Sequence, residues 1–259
     1  MKTFLTTLLC ILTFIGYSQS TQSISSIWII SGHPGDQHYE QKYQQKIEEI
    51  QLMLTTALNV PEKSIHILFH DNKTLGKPCT KENVLEALTS VNKELTKGKR
   101  PLIIFLGHAN TTPKDVLLNL PGEDISVKTI AQKLNSQKPA SELGIIWSAD
   151  SGKRAVKLLS RSHRVILAAV ETEDRDNEPV LSEVIENMFM PEKVDQNNDH
   201  QISFIEMHAI AKAEVKKWYA NQSLIQLESI VIEGNADGKG TAAPAQEDKQ
   251  LANKFMLKY

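Results

Sequence analysis

Pro101-Leu102-Ile103-Ile104-Phe105-Leu106, leading into Gly107-His108-Ala109-Asn110, is the stretch that decides the fold class. Its apolar residues follow one another without the in-and-out alternation of a half-solvated strand. Such runs belong to strands covered on both faces, as in parallel sheets. Ile24–Ser31, Ile65–Phe69, Leu143–Trp147 and Arg164–Val170 read as four further strands. Segments of helical spacing lie between them. Gln37–Leu58 sets Tyr43, Ile47, Ile50, Leu54 and Leu58 on one stripe. Thr80 is placed to cap a helix that runs to about Leu95, with Val84, Leu85, Leu88 and Val91 on one face. Ser126 opens a short helix with Ile130 and Leu134 inward, and another, with Ser151 as its cap, follows Gly152 to about Leu159. Strands alternating with helices imply parallel pairing through right-handed crossovers. The expectation is an α/β protein, a three-layer sandwich around a mostly parallel sheet.

The pattern changes after Glu178. Leu181–Met190 reads as a helix, a polar loop follows, and Phe204–Tyr219 reads as a second helix. The expected organisation is therefore an α/β domain over 24–190, a helix–loop–helix unit over 191–220 and a tail over 221–259. Within that tail, residues 234–250 are rich in Gly, Ala and charge and read as mobile. At the other end, Lys2, the apolar run Phe4–Ile15 and the small residues of Gly16-Tyr17-Ser18-Gln19-Ser20 follow the order of a cleavable export signal over 1–20. The apolar run is shorter than the ~20 residues of a spanning helix. A periplasmic or secreted protein is expected, with no stable membrane insertion once the signal is removed. A formal net charge of −2 gives no reason to expect a nucleic-acid partner. Cys10 falls within the signal, so Cys79 is left alone and no internal disulfide is expected.

Asp195-Gln196-Asn197-Asn198-Asp199-His200-Gln201-Ile202-Ser203-Phe204-Ile205-Glu206 has the spacing of an EF-hand calcium loop. Oxygen side chains fall at positions 1, 3, 5, 9 and 12, namely Asp195, Asn197, Asp199, Ser203 and Glu206. Gln201 at position 7 would offer its carbonyl. A hard cation needs six to eight oxygens, and this alternation aims them at one point. Calcium is the expected cofactor. One departure stands at position 6, where the motif has glycine and this chain has His200. A histidine there must take a left-handed backbone, which it tolerates better than a branched residue does. Gly234-Asn235-Ala236-Asp237-Gly238 is also rich in Asp, Asn and Gly, but it is incomplete as a calcium loop and reads as a turn.

In open parallel sheets, sites gather at the C-terminal ends of strands. Two ends stand out: Leu106-Gly107-His108-Ala109, and Trp147-Ser148-Ala149-Asp150-Ser151-Gly152. With I-W-I-I-S-G at Ile27–Gly32, L-P-G-E-D-I-S at Leu120–Ser126 and R-V-I-L-A-A-V-E-T at Arg164–Thr172, their order resembles the caspase-like cysteine peptidases, and within them the legumain-like group. The resemblance spans about Ile27 to Phe189. It implies a caspase-like sandwich with His108 in the place of the general base. It also implies that Ala109 supplies the oxyanion-binding N–H. The nucleophile's place, three residues before Gly152, is Ala149, whose methyl group cannot attack a carbonyl.

The resemblance therefore implies a pseudopeptidase that binds a peptide or protein in the strand-end cleft without proteolysis. Two rivals stand beside it. One is an active legumain-like peptidase or serine-type hydrolase using Ser148, Ser151 or Cys79. The other is a calcium-stabilised structural envelope protein. A hydroxyl or thiol within hydrogen-bond reach of His108 would favour the first rival. A cleft filled by the chain's own groups would favour the second.

Overall fold

The computed structural model describes residues 23–70, 74–171 and 178–259. The expected export signal lies outside them. In chain order the strands are β1 (Ser26–Ser31), β2 (Ile65–Phe69), β3 (Pro101–Gly107), β4 (Ala109–Thr111), β5 (Val116–Leu118), β6 (Ile125–Ser126), β7 (Leu143–Ala149), β8 (Arg164–Glu171), β9 (Gln201–Ser203), β10 (Glu228–Glu233) and β11 (Met256–Lys258). The helices are α1 (Gln37–Leu52), α2 (Lys81–Thr96), α3 (Val127–Leu134), α4 (Gly152–Leu159), α5 (Leu181–Val184), α6 (Pro191–Val194), α7 (Phe204–Asn221) and α8 (Gln246–Lys254).

Six strands form the central sheet in the order β10-β8-β7-β3-β1-β2. Neighbours from β2 to β8 pair in parallel, and β10 closes the β8 edge antiparallel. The strand period of two sends alternate residues to opposite layers. Ile27, Ile29, Leu102, Ile104 and Ile146 pack with Tyr43 and Ile47 of α1 and with Phe204 and Met207 of α7. Trp28, Ile30, Ile103, Phe105, Ile145 and Trp147 pack with Val84 and Leu88 of α2, Ile130 of α3 and Val156 of α4. The molecule is a three-layer α/β sandwich with a mostly parallel sheet. Because β2 and β3 flank β1 on opposite sides, the chain reverses its direction of winding between β1 and β3. Crevices open at such switch points.

Several helix starts follow the local chemistry. Asn83 N–H donates to Thr80 Oγ1 at 3.3 Å, and Thr129 N–H donates to Ser126 Oγ at 3.0 Å. Two expectations need correction. Leu181–Met190 is not one helix: α5 gives way to a 3-10 turn over Ile185–Phe189. The segment 221–259 is not a tail either. β10 lies in the main sheet, α8 occupies part of the stretch expected to be mobile, and β11 pairs with β9. Phe255 packs edge-on against Phe204, with ring centroids 5.2 Å apart. Both rings reach the sheet because position 144 is glycine: a Cβ there would lie 2.3 Å from Phe255.

Ile230, Ile232, Phe255 and Leu257 are each at most 1% exposed. Burying such side chains contributes about 1.5–3 kcal/mol apiece, and a whole domain is stable by only about 5–15 kcal/mol. A chain ending at Asn221 should therefore lose its cooperative thermal transition. A truncated protein that still melts cooperatively, within about 5 °C of the full chain, would show that the C-terminal segment is dispensable.

Candidate functional site

The two strand ends singled out by sequence are neighbours. β3 and β7 pair in register, with Leu106 opposite Ser148 and Gly107 opposite Ala149. His108 follows directly and is half-buried, and Asp150, one residue past Ala149, is 3% exposed. The two side chains meet: His108 Nδ1 lies 3.4 Å from Asp150 Oδ2. The same Oδ2 accepts the Ala109 N–H at 2.9 Å. A single carboxylate oxygen thus ties the end of β7 to two consecutive residues after β3. Its partner Oδ1 is buried and has no hydrogen bond.

The far side of the imidazole is held by α1. Tyr43 Oη lies 3.3 Å from His108 Nε2, and the Tyr39 ring packs edge-on against it at 4.7 Å between centroids. Lys42, on the same helix, pairs with Glu178 at 2.8 Å and Glu183 at 2.5 Å. Hydrogen bonding to Asp150 raises the His108 pKa above its usual 6.5; burial opposes this, and the charges of Asp150 and Glu178 add to it. Burial, followed by the charge of Glu178, pushes the Tyr43 phenol well above its ordinary range. When the imidazole is charged, Nδ1–H points to Asp150 and Nε2–H donates to the Tyr43 oxygen.

The crevice between β1 and β3 is closed by backbone. His33 N–H donates to the Asn119 carbonyl at 2.8 Å, and Asn119 N–H donates to the His108 carbonyl at 3.0 Å. Gly32 has no room for a side chain, since a Cβ would stand 1.9 Å from the Asn119 carbonyl oxygen. The loop after β5 therefore sits on the switch point itself.

Each candidate nucleophile can now be placed. Ala149 is 1% exposed and carries only its methyl group. Ser148 is fully buried opposite Leu106, without the register slip that would turn it toward His108, and its hydroxyl has no hydrogen-bond partner. Ser151 occupies the expected N-cap position of α4, but with φ of 61° and no capping bond, and its hydroxyl instead pairs with Thr111 Oγ1. Cys79 is fully buried, and burial pushes its thiol pKa up. The hydroxyl within reach of His108 belongs to Tyr43, which is fully buried and held protonated, so it serves as a hydrogen-bonding partner and not as a nucleophile.

No protein-family model matches this chain, and no curated protein matches it.

Among the described residues, no group of three or more His, Cys, Asp or Glu side chains is gathered to hold a metal. The loop 195–206 nevertheless has a definite geometry. Asp195 Oδ1 and Oδ2 accept the N–H groups of Asp199 and His200 at 3.2 and 3.0 Å. Asn197 Oδ1 accepts Asp199 N–H at 2.8 Å, and Asp199 Oδ1 accepts Gln201 N–H at 2.9 Å. His200 takes φ of 60°, the left-handed value the motif assigns to glycine. Ser203 caps α7 while Glu206 Oε2 accepts the Ser203 N–H and hydroxyl, at 2.9 and 2.8 Å. Glu206 Oε1 and Gln201 Oε1 are buried without partners.

What covers this loop has no signal in its own sequence. β9 pairs with β11, Ile202 opposite Leu257, and Tyr259 donates its hydroxyl to Asp195 Oδ2 at 2.8 Å. Burial raises the Asp195 pKa, but bonds from Tyr259 and the loop's own N–H groups outweigh it, and the net shift is downward. Burial, followed by the same contact, raises the Tyr259 phenol to about 12.

The His108–Asp150 pair makes a pH-dependent contribution. A raised folded-state pKa means that the stabilisation is complete below about pH 6.5 and is lost as pH rises through the folded value. Titration followed by NMR should place His108 above 6.5, and Asp150→Asn should bring it down. An unchanged His108 titration in Asp150→Asn would show that the contact carries no charge interaction.

Proposed function

We propose that this chain is a catalytically silent, caspase-like and legumain-like domain, exported from the cytoplasm, whose role is binding or regulation and not proteolysis. One observation carries the reading: Asp150 bridges His108 and the Ala109 N–H across the paired ends of β3 and β7, beside Ala149. In the resemblance, His108 stands for the base, Ala109 for the oxyanion donor and Ala149 for the absent nucleophile. The donor matters as much as the missing thiol. An oxyanion-type site needs N–H groups free to meet the charge that develops in the transition state, and the Ala109 N–H is already committed to a carboxylate. The base is likewise occupied where it would act, since its Nε2 faces the Tyr43 hydroxyl. A chain that had lost only its nucleophile would keep the other two parts available.

Calcium is the proposed cofactor of the loop 195–206, held by the side chains of Asp195, Asn197, Asp199, Ser203 and Glu206 and the carbonyl of Gln201. The buried, unpartnered Glu206 Oε1 supports the fit, because position 12 of such loops binds through both oxygens. The donor set draws on amide, hydroxyl and carbonyl oxygens as much as on carboxylates. With His200 at position 6, the expected affinity is that of extracellular modules, Kd on the order of 10⁻⁴–10⁻³ M. Bound there, calcium would neutralise Asp195 and Asp199 and stiffen the junction of β9, β11 and α7.

Two experiments test these readings. The protein should leave peptides with Asn, Asp or Arg at the cleavage position intact. Ala149→Cys should stay inactive on the same peptides, because position 149 is 1% exposed, Tyr43 holds His108 Nε2 and the Ala109 N–H is bonded to Asp150. Cleavage by the unaltered chain would remove the pseudopeptidase reading, and cleavage by Ala149→Cys would show that the base and the oxyanion donor are still available. For the metal, millimolar calcium should raise Tm by several degrees, and Glu206→Ala should reduce that rise. A Glu206→Ala protein with an undiminished response would remove this loop as a calcium site.

A further inference from the structure

Gly234–Gly238, read from sequence as a turn too incomplete for a calcium loop, repeats within the segment 233–241 the backbone of the loop that begins at Asp195. In the first loop Asn198 and His200 have φ of 58° and 60°; in the second, Ala236 and Gly238 have φ of 68° and 74°. The side-chain turns repeat as well. Asp237 N–H donates to Asn235 Oδ1 at 2.9 Å and Lys239 N–H donates to Asp237 Oδ1 at 2.7 Å, as Asp199 and Gln201 do to Asn197 and Asp199. This correspondence puts Glu233 in the place of Asp195. Turns of this kind occur in many Asx-rich loops. The separate observation is the state of Glu233.

Glu233 ends β10 and is 0% exposed. Its Oε1 accepts the Ala236 N–H at 2.6 Å, so the carboxyl is turned into the loop. Its Oε2 is shut from water and has no hydrogen-bond partner. The groups that face the carboxyl are the Ser160 hydroxyl and the carboxylates of Asp248 and Asp237, none of them a cation. Among the described residues no Lys, Arg or His forms an ion pair with it. Arg164, the buried cation that senses its field, spends its guanidinium on the Leu159 carbonyl and Asn135 Oδ1. Asp248, 2% exposed, adds a third carboxylate by accepting the Gly234 N–H at 3.1 Å. Burial raises the Glu233 pKa against the hydrogen bonds from the Ala236 N–H and Ser160, so without a cation the carboxyl is pushed toward its neutral form, and a bound cation would be what restores its charge.

We propose that Glu233, Asn235 and Asp237, with the Lys239 carbonyl and Asp248 in support, form a second site for a divalent cation of the calcium class. The donors are all oxygens, which select calcium or magnesium over the nitrogen- and sulfur-seeking metals. With only two side-chain carboxylates in direct reach, water completes the shell and the affinity is weak. The site stands on its own residues and does not depend on the loop at Asp195.

The test uses the full mature chain carrying Glu206→Ala, so that the first loop is disabled, with thermal melting in calcium chloride as the readout. Saturation to about ten times Kd should raise Tm by about 4 °C. Asp237→Ala, at an exposed position that folding tolerates, should abolish that rise. Glu233→Gln keeps the shape and removes the charge; it should also abolish the rise, and it should raise Tm in the absence of calcium. The proposal is overturned if the Glu206→Ala protein ignores calcium, or if the rise survives either second-loop substitution. Loss of the response in Asp237→Ala alone, with Glu206→Ala behaving as the unaltered chain, would leave this site standing and remove the first.

Discussion

A carboxylate that is 3% exposed persists only where its charge is met, and Asp150 meets it with groups drawn from another strand. The Ala109 N–H and the His108 imidazole reach it from the residues just past β3, about forty positions away in the chain. A charge-assisted bond of this kind is about twice as strong as a neutral one, and burial removes water as a competitor. Breaking it would leave an uncompensated buried charge, which costs more than the contact itself is worth. The ends of β3 and β7 are therefore locked together at the place where an open α/β sheet would otherwise present its crevice. Tyr43 from α1 completes the lock on the opposite edge of the imidazole.

That lock bears on chemistry as well as stability. Acyl transfer in this architecture would need three things at one point: a nucleophile, a base free to take its proton and an N–H free to receive an oxyanion. Position 149 offers a methyl group, the Nε2 of His108 faces the Tyr43 hydroxyl, and the Ala109 N–H is bonded to Asp150. The Asn119 backbone closes the neighbouring gap by bonding both His33 and His108. These features fit the proposed catalytically silent reading.

Much of the architecture was legible because it rests on short-range patterns. The continuous apolar runs became β1, β2, β3, β7 and β8, and Thr80 and Ser126 cap the helices they precede. What escaped was long-range. Glu228-Ser229-Ile230-Val231-Ile232-Glu233 holds three β-branched residues in a row and carries a strand signal, but it stands before a Gly-rich loop whose composition suggested a tail. Asp150 could be read as an acid at a strand end; its turn inward depends on the register of two strands, which one sequence does not state. Ser151 shows the same limit. Its type and place suggest a helix cap, yet a left-handed backbone directs its hydroxyl to Thr111.

The C-terminal segment links these features. It enters through β10, which closes the sheet edge at β8, and leaves through β11, which pairs with β9 in the first oxygen-rich loop. The second such loop lies between, where Glu233 ends β10. Tyr259, the last residue, bonds Asp195 directly. The two loops thus sit at the two places where this segment joins the rest of the molecule. At the first junction Tyr259 and the loop N–H groups hold Asp195 ionised, whereas at the second Glu233 is buried beside Asp248 and Asp237, which weakens the joint unless a cation neutralises them. Calcium-class ions at these positions would act on the same segment from both ends.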